Sequence, residues 1–157
     1  MKTKRACVTG ATGCVGRNLV SVLEKEGDWD ITVLHRKSSD LSKLNGCDVH
    51  PVEVNLHDAD SVLKALPDQL DAVFHIAGNT SHWSKEAATQ RKDNVLATRN
   101  LLIAALKKDI KRFIFTSTGA TLPFQDTDRE GAEKIDEPYI KTKRLAEIEV
   151  QEAAEFG

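Results

Sequence analysis

The side chains of this sequence best suited to proton transfer are one tyrosine and the lysine four residues after it. Tyr139 is the only tyrosine, and Lys143 lies in the same segment of helical periodicity, so the two share a face of a helix. A phenol protonates a carbonyl oxygen when its pKa falls toward neutrality, and a nearby ammonium lowers that pKa. The pair predicts acid–base chemistry. The same spacing also occurs on exposed amphipathic helices, and in that case Lys141, Arg144 and Glu147 belong to a solvated face.

A second hydroxyl group is expected near the reacting oxygen, on the side opposite the phenol. Ser117 and Thr118 end an apolar run that is predicted as a strand, and open α/β sheets bind ligands at the carboxyl ends of their strands. We predict that Thr118 orients the substrate oxygen, with Ser117 as the alternative. Hydroxyls at the end of a strand also cap turns, so this assignment depends on Tyr139 and Lys143 lying nearby.

Three glycines spaced three apart follow the first predicted strand and open the first predicted helix. Gly10 suits a tight turn, Gly13 lets the backbone approach a pyrophosphate, and Gly16 lets the helix pack closely on the strand. The free N–H groups and the dipole at the start of the helix attract an anion. A flexible turn is the alternative, but the position between strand and helix favours dinucleotide binding.

The end of the second predicted strand suggests which dinucleotide is bound. An acidic residue at this position would bond the ribose 2′-hydroxyl of NAD, whereas Arg36 offers a planar cation to a 2′-phosphate. The sequence therefore favours NADP over NAD, and a solvated basic loop is the alternative. Lys143 is also expected to reach the nicotinamide ribose.

Short apolar runs alternate with longer helical patterns along the chain. Strands are predicted at residues 6–8, 30–34, 48–54, 71–76 and 111–116, and helices at 15–25, 58–66, 89–108 and 138–155. This order predicts an α/β fold with a doubly wound parallel sheet of about five strands, in which Pro51 moves the third strand toward an edge. Residues 119–137 are predicted to be irregular. The outer edge of the last strand would be bare, which suggests a continuation of the chain or a covering partner.

Composition argues against several classes of protein. The formal net charge is −2, without the basic stripe of a nucleic-acid-binding protein. No apolar run reaches the roughly 18 residues of a membrane span, and the short apolar stretch behind the basic start contains glycines, so no export signal is predicted. Three cysteines without CxxC spacing favour a reducing cytoplasm, and the five histidines do not cluster as metal ligands. We expect a cytoplasmic protein without a metal site.

Five ordered motifs carry a resemblance to a known family. They are residues 8–16 (VTGATGCVG), 71–78 (DAVFHIAG), 94–102 (NVLATRNLL), 113–118 (FIFTST) and 138–143 (PYIKTK). Together they resemble the extended short-chain dehydrogenase/reductase family, also called the NAD(P)-dependent epimerase/dehydratase family. Arg36 and residues 79–83 are most similar to dihydroflavonol-reductase-like members, which are NADP-dependent ketoreductases.

The resemblance implies roles for individual residues. Thr118, Tyr139 and Lys143 match the catalytic triad of the family, and the pair Asn55 and Leu56 stands where the family has an Asp-Leu pair at the adenine. An Asn carbonyl still accepts a hydrogen bond from the adenine amino group, so binding is weakened rather than lost. The full set of predicted cofactor contacts is Gly10, Thr12, Gly13, Cys14, Val15, Gly16, Arg36, Asn55, Leu56, Ile76, Ala77, Gly78, Asn94, Thr116, Tyr139 and Lys143.

The family also sets expectations about the whole protein. Extended members continue well beyond this length, so residues 1–157 are expected to form a truncated dinucleotide-binding Rossmann domain without the C-terminal substrate region. Reduction of a ketone or aldehyde of a small organic substrate with NADPH is expected, which is oxidoreductase chemistry on CH–OH groups. The alternatives are a nucleotide-sugar epimerase or dehydratase with bound NAD and a non-catalytic NAD(P)-binding fragment. A homodimer through residues 89–108 and 138–155 is expected by analogy, and nucleic-acid and membrane partners are not.

Overall fold

Five parallel strands form one sheet in the computed structural model, which describes residues 3–156 apart from the side chain of Ser84. In chain order they are β1 (Lys4–Thr9), β2 (Trp29–His35), β3 (His50–Glu53), β4 (Ala72–His75) and β5 (Phe113–Phe115). They are arranged in the order β3-β2-β1-β4-β5. All five predicted strands are confirmed, and Pro51 lies on an edge strand as predicted, since a proline cannot donate to a second neighbour.

Helices cover both faces of this sheet. Their bounds are α1 (Cys14–Glu26), α2 (Ala59–Ala65), α3 (Ala87–Arg91), α4 (Ala97–Lys107), α5 (Arg129–Glu133) and α6 (Pro138–Phe156). Buried residues of α1, such as Val20, pack on the face that holds Val8. Buried residues of α2 and α4, such as Leu101, pack on the face that holds Cys7. The doubly wound arrangement predicted from the sequence is therefore confirmed.

The order of the strands reverses direction between β1 and β4. The chain runs outward from β1 through β2 to β3, then crosses to β4 and continues outward to β5. The loops that follow β1 and β4 therefore diverge at the carboxyl edge of the sheet. Open α/β sheets bind ligands in the crevice that such a reversal leaves.

Two parts of the chain differ from the prediction. Residues 119–137 are not irregular throughout, because they contain a 3₁₀ helix (Gly119–Phe124) and α5, whose first turn is capped by the Asp128 carboxylate. The predicted helix at 89–108 begins at Ala87 and is interrupted by a π-helical turn (Lys92–Leu96) between α3 and α4. Short helices held by a cap and a change of helical pitch both depend on tertiary contacts, so hydrophobic periodicity does not reveal them.

The described residues also bear on membranes and metals. Across residues 3–156, no helix is both long and apolar enough to cross a bilayer. Within the same part of the chain, no three His, Cys, Asp or Glu side chains lie together as a metal-ligand group.

Candidate functional site

The glycine loop, residues 9–16, forms a backbone cradle after β1. Gly10 has a φ of 70°, and a Cβ atom there would lie 2.6 Å from the Ala77 backbone nitrogen. A Cβ atom on Gly16 would lie 2.7 Å from the Cα of Ala11 and would also overlap the Gly10 carbonyl. Only glycine fits at either position. The close packing predicted for Gly16 is present, but its contact is the loop itself rather than the strand.

The start of α1 suits an anion. Gly13 caps this 13-residue helix without a side-chain hydrogen bond, and the first turn carries no acidic residue. The backbone N–H groups at this end therefore keep their capacity to bind a negative group, and the helix dipole favours one. Cys14 and Val15 of the same turn are exposed.

A cleft of about 1160 Å³ opens above the carboxyl edge of the sheet. Among the residues that line it are twelve of the predicted cofactor contacts: Gly10, Thr12, Gly13, Cys14, Val15, Gly16, Arg36, Asn55, Leu56, Ile76, Ala77 and Gly78. The glycine cradle and this lining fit a dinucleotide in size and in chemistry, because such pockets combine apolar walls with a few polar groups.

Arg36 lies at the end of β2 and is exposed. Lys37 and Ser38 line the cleft next to it. Within residues 3–156, the Arg36 guanidinium makes no hydrogen bond or ion pair. Only its backbone carbonyl has partners, the Ser39 amide at 2.9 Å and His35 Nδ1 at 3.1 Å. Its five N–H donors therefore face an incoming group without competition from protein acceptors.

The segment after β3, which the family resemblance predicts to contact the adenine, lines one part of the cleft. Asn55 Oδ1 accepts a hydrogen bond of 3.1 Å from the His57 amide, and Asn100 Nδ2 donates to the Leu56 carbonyl at 2.9 Å. These bonds fix the segment. The Asn55 carbonyl retains a second lone pair, so it can still accept from a ligand amino group.

Asn94 lies behind the cleft and does not line it, although the sequence placed it among the cofactor contacts. It is 2% exposed and sits in the π-helical turn. Its Oδ1 accepts from the Asn79 amide at 2.7 Å, and its Nδ2 donates to the Asn79 carbonyl at 2.9 Å and to Thr142 Oγ1 at 3.0 Å. Asn94 therefore joins the loop after β4 to α6, which is a structural role.

Lys143 is 5% exposed and lies against the end of β5. Its Nζ donates to the Thr116 carbonyl at 2.5 Å and lies 4.2 Å from the ring centroid of Phe115. Burial lowers the pKa of Lys143 to about 8, and the nearby Glu147 carboxylate only partly opposes this. Thr116 thus contacts the lysine through its backbone, and neither residue lines the cleft.

Tyr139 occupies the first turn of α6 and is partly exposed. Its ring meets the ring of His82 edge to face, with centroids 5.4 Å apart and planes at 68°. His82 belongs to the loop that follows β4, at the carboxyl edge of the sheet. The predicted phenol therefore lies near the cleft edge without lining the cleft itself.

Both candidate hydroxyls at the end of β5 have protein partners. Thr118 Oγ1 accepts from the Ala120 amide at 3.3 Å and caps the 3₁₀ helix, and Ser117 Oγ donates to Glu147. No hydrogen bond joins Thr118 to Tyr139 in the described part of the chain. The orienting role of Thr118 stays a prediction.

Arg144 and Glu147 are not on a solvated face, contrary to one interpretation of the helix pattern. Arg144 is 4% exposed, and its guanidinium donates to Glu147 and to the carbonyls of Gln125 and Thr127. Glu147 also accepts from Thr121 Oγ1 at 2.7 Å. Tertiary structure explains this burial, because residues 117–127 fold over this side of α6 and supply the hydrogen-bond partners of Arg144 and Glu147.

His75 is a fully buried residue whose role the sequence reasoning missed. Thr9 Oγ1 accepts from the amides of Ile76 and Ala77 at 3.2 and 3.1 Å, so its own proton goes to His75 Nδ1 at 2.7 Å. His75 Nε2 then donates to Thr98 Oγ1 at 2.9 Å, since that hydroxyl donates onward. The neutral Nε2–H form of His75 is thus defined. The signal in the sequence that could have revealed this role is a histidine at the end of the apolar run in the motif of residues 71–78.

Comparison with known proteins agrees with this geometry. The profile described as "NAD dependent epimerase/dehydratase family" matches residues 6–157. A putative dihydroflavonol 4-reductase from Synechocystis sp. is 33% identical over 96% of this chain and 45% of its own length. A UDP-glucose 4-epimerase from Halalkalibacterium halodurans is 28% identical over 77% of this chain and 38% of its own.

A solved structure supports the same relationship. It is a short-chain dehydrogenase/reductase superfamily protein from Agrobacterium tumefaciens with bound NAD, 27% identical, with a TM-score of 0.73 over 94% of this chain and 44% of that one. The chain belongs to the NAD-dependent epimerase/dehydratase family, whose relatives here include reductases, dehydrogenases and epimerases. It spans under half the length of the curated relatives that it matches.

Proposed function

We propose that this chain is the cofactor-binding part of an NADP-dependent oxidoreductase that reduces the ketone or aldehyde group of a small organic substrate. The observation that carries the proposal is the glycine cradle at the start of α1 combined with the Arg36 guanidinium at the end of β2. The glycine cradle accommodates a pyrophosphate. Arg36 lies on the same cleft, and its guanidinium is an unpaired cation among the partners that residues 3–156 provide. The similarity to the Synechocystis reductase supports the same reaction class.

Each catalytic residue has a separate task in this proposal. NADPH, when bound, supplies the hydride for the carbonyl carbon. Tyr139 donates the proton to the carbonyl oxygen, and Thr118 orients that oxygen. Lys143 takes the nicotinamide ribose in exchange for the Thr116 carbonyl that its Nζ bonds in this structure, and its ammonium favours the phenolate that is left. Burial lowers the pKa of Lys143 to about 8, so most of the lysine is still the ammonium form at pH 7.

The choice between NADP and NAD is tested at Arg36. We expect Arg36→Ala to weaken NADPH binding by about 10-fold or more while NADH binding changes little, because only NADPH carries the 2′-phosphate. Isothermal calorimetry with both cofactors measures this. Lys25→Ala removes the same charge from the far end of α1 and serves as the control. An NADPH preference that survives Arg36→Ala contradicts the role of Arg36.

The acid role of Tyr139 is tested by removing one oxygen atom. Tyr139→Phe should reduce carbonyl turnover by about 100-fold or more, as loss of a general acid does, and leave NADPH affinity unchanged. A panel of ketones and aldehydes with NADPH consumption as the readout measures turnover. Turnover that is unchanged in Tyr139→Phe contradicts the mechanism. NADP(H) binding without turnover of any substrate by the unaltered protein favours a non-catalytic binding domain.

A nucleotide-sugar epimerase or dehydratase with tightly held NAD is the second candidate, and the similarity to a UDP-glucose 4-epimerase supports it. Such an enzyme regenerates its cofactor in each cycle and has no need to release it. Purified protein that retains NAD through dialysis would favour the epimerase. A protein that loses all dinucleotide and rebinds NADPH in preference would favour the reductase.

A further inference from the structure

An imidazole–carboxylate pair links the loop after β4 to the first turn of α6. His82 Nδ1 lies 2.9 Å from Glu137 Oε1, and the two side chains are 70% and 34% exposed. We refer to this pair as the clasp. The His82 ring also packs edge to face on Tyr139, two residues after Glu137.

The loop side of the clasp is anchored from within. Gln90 is 1% exposed, and its Nε2 donates to the carbonyls of Asn79 and Ser81 at 3.1 and 2.6 Å. The Ser81 amide donates to Asn79 Oδ1 at 3.0 Å. The backbone that leads into His82 is therefore held by three hydrogen bonds. This support fixes the backbone from which the His82 side chain extends toward Glu137.

The helix side of the clasp is equally constrained. Glu137 Oε2 accepts from the Ile140 amide at 2.5 Å, which caps the start of α6. Burial opposes ionisation of Glu137, but the bonds from the Ile140 amide and from His82 outweigh it and hold the pKa of Glu137 below its ordinary value. The carboxylate is thus charged near neutral pH and only accepts, so His82 Nδ1 is the donor.

We propose that His82 and Glu137 are positioning residues that fix Tyr139 relative to the cofactor cleft. One oxygen of Glu137 holds the helix start and the other holds the imidazole, while the imidazole ring limits the directions open to the phenol. Asn94 joins the same loop to Thr142 deeper in the structure, so the clasp secures the outer end of one loop–helix contact. The proposal rests on the proposed function in taking Tyr139 as the proton donor.

The sole tyrosine makes the clasp measurable in this chain. Biosynthetic 3-fluorotyrosine places one fluorine label on Tyr139, and ¹⁹F NMR then reports its surroundings. His82→Phe keeps an aromatic ring beside Tyr139 but cannot bond Glu137, so the label should give a broadened or split signal. His50→Phe is the matched control, because His50 is also 70% exposed and pairs with Asp30 at 3.2 Å on the opposite edge of the sheet.

Turnover and a double substitution complete the test. His82→Phe should reduce kcat for a carbonyl substrate by about 10- to 100-fold, as small misplacements of reacting groups do, with an unchanged KM for NADPH. On a Glu137→Ala background, His82→Phe should add nothing further to the NMR change. A single sharp signal and an unchanged kcat in His82→Phe overturn the proposal. Full turnover in Tyr139→Phe instead overturns the proposed function. In that case the NMR signals of the labelled unaltered protein and of His82→Phe still decide whether the clasp orders Tyr139.

Discussion

At the scale of single residues, burial determines which side chains can change their charge. His75 lies fully inside the protein between Thr9 and Thr98, and both of its ring nitrogens have neutral partners. Burial lowers the pKa of His75 to about 3, with a further contribution from the charge of Lys143. A protonated imidazole would need two acceptors, whereas the Thr9 hydroxyl already receives two backbone N–H groups. His75 is therefore a permanently neutral link near neutral pH.

This neutrality predicts a pH dependence of stability. The unfolded chain binds a proton at His75 below its ordinary pKa of 6.5, whereas the folded protein does so only near pH 3. Acid therefore favours the unfolded state, and His75 should lower the free energy of unfolding by up to about 1.4 kcal/mol per pH unit below pH 6.5. Urea unfolding between pH 7.5 and 5 measures the slope.

A substitution isolates the contribution of His75. The stability of His75→Gln should fall less steeply between pH 6.5 and 5, because the titrating group is gone while the carboxylates remain. His50→Gln, which removes an exposed histidine, is the control for the loss of a histidine as such. Equal slopes in His75→Gln and the unaltered protein would show that His75 does not titrate as a buried neutral group.

At the scale of elements, α6 depends on charged contacts as much as on apolar ones. Glu149 is 8% exposed and accepts from Arg99 at 2.6 and 2.9 Å and from Arg129 at 2.8 Å. Arg99 lies on α4 and Arg129 begins α5. One carboxylate thus joins three helices, next to a cluster that includes Leu145 and Ile148.

Loss of the Glu149 charge should loosen this junction. We expect Glu149→Gln to lower the free energy of unfolding by about 1–3 kcal/mol, less than for a fully buried pair because both arginines are partly exposed. Burial opposes ionisation, but the two arginines hold the pKa of Glu149 below its ordinary value of 4.5. The contribution is therefore present above about pH 4.5 and lost as the pH falls further.

Denaturant unfolding of Glu149→Gln and of a matched surface variant checks this prediction. Glu130→Gln breaks an ion pair with Lys134 in which the side chains are 80% and 72% exposed, and it should change stability little. If Glu149→Gln is as stable as Glu130→Gln at pH 7, the three-helix junction does not depend on this carboxylate.

At the scale of the whole molecule, the sheet order gathers distant segments at one edge. The glycine loop, Arg36, the segment after β3 and the loop after β4 meet there because parallel strands end on the same side. A dinucleotide in this cleft would contact four separate parts of the chain. Binding should therefore stabilise the whole domain rather than one loop.

Cofactor-linked stability is the corresponding prediction. NADPH at 100 times its Kd should add about 2.7 kcal/mol to the free energy of unfolding. At this chain length, that gain corresponds to a rise in Tm of about 5–10 °C. Scanning calorimetry with NADPH and NADH measures the rise, and Arg36→Ala should reduce it for NADPH alone. A Tm that moves with neither cofactor would contradict dinucleotide binding.

Much of the fold was predictable because it depends on local patterns. All five strands and the four longest helices were expected from hydrophobic periodicity, and the glycine loop was expected from three glycines between a strand and a helix. The π-helical turn at Lys92–Leu96 and the capped helix α5 were not, since their backbone depends on contacts made by distant residues. The predicted homodimer and cytoplasmic location stay predictions.

Twelve of the predicted cofactor contacts line the cleft, but the arrangement of the candidate site was not predictable. Residue types and spacing alone determined the strand–glycine–helix unit, the cation at the end of β2 and the tyrosine–lysine pair, because their chemistry is contained in neighbours along the chain. Tertiary structure alone decided that Asn94 lies behind the cleft, that Arg144 is buried and that Glu137 meets His82 across 55 residues. Such contacts depend on how the helices pack on the sheet, and no local pattern records which distant side chains that packing brings together.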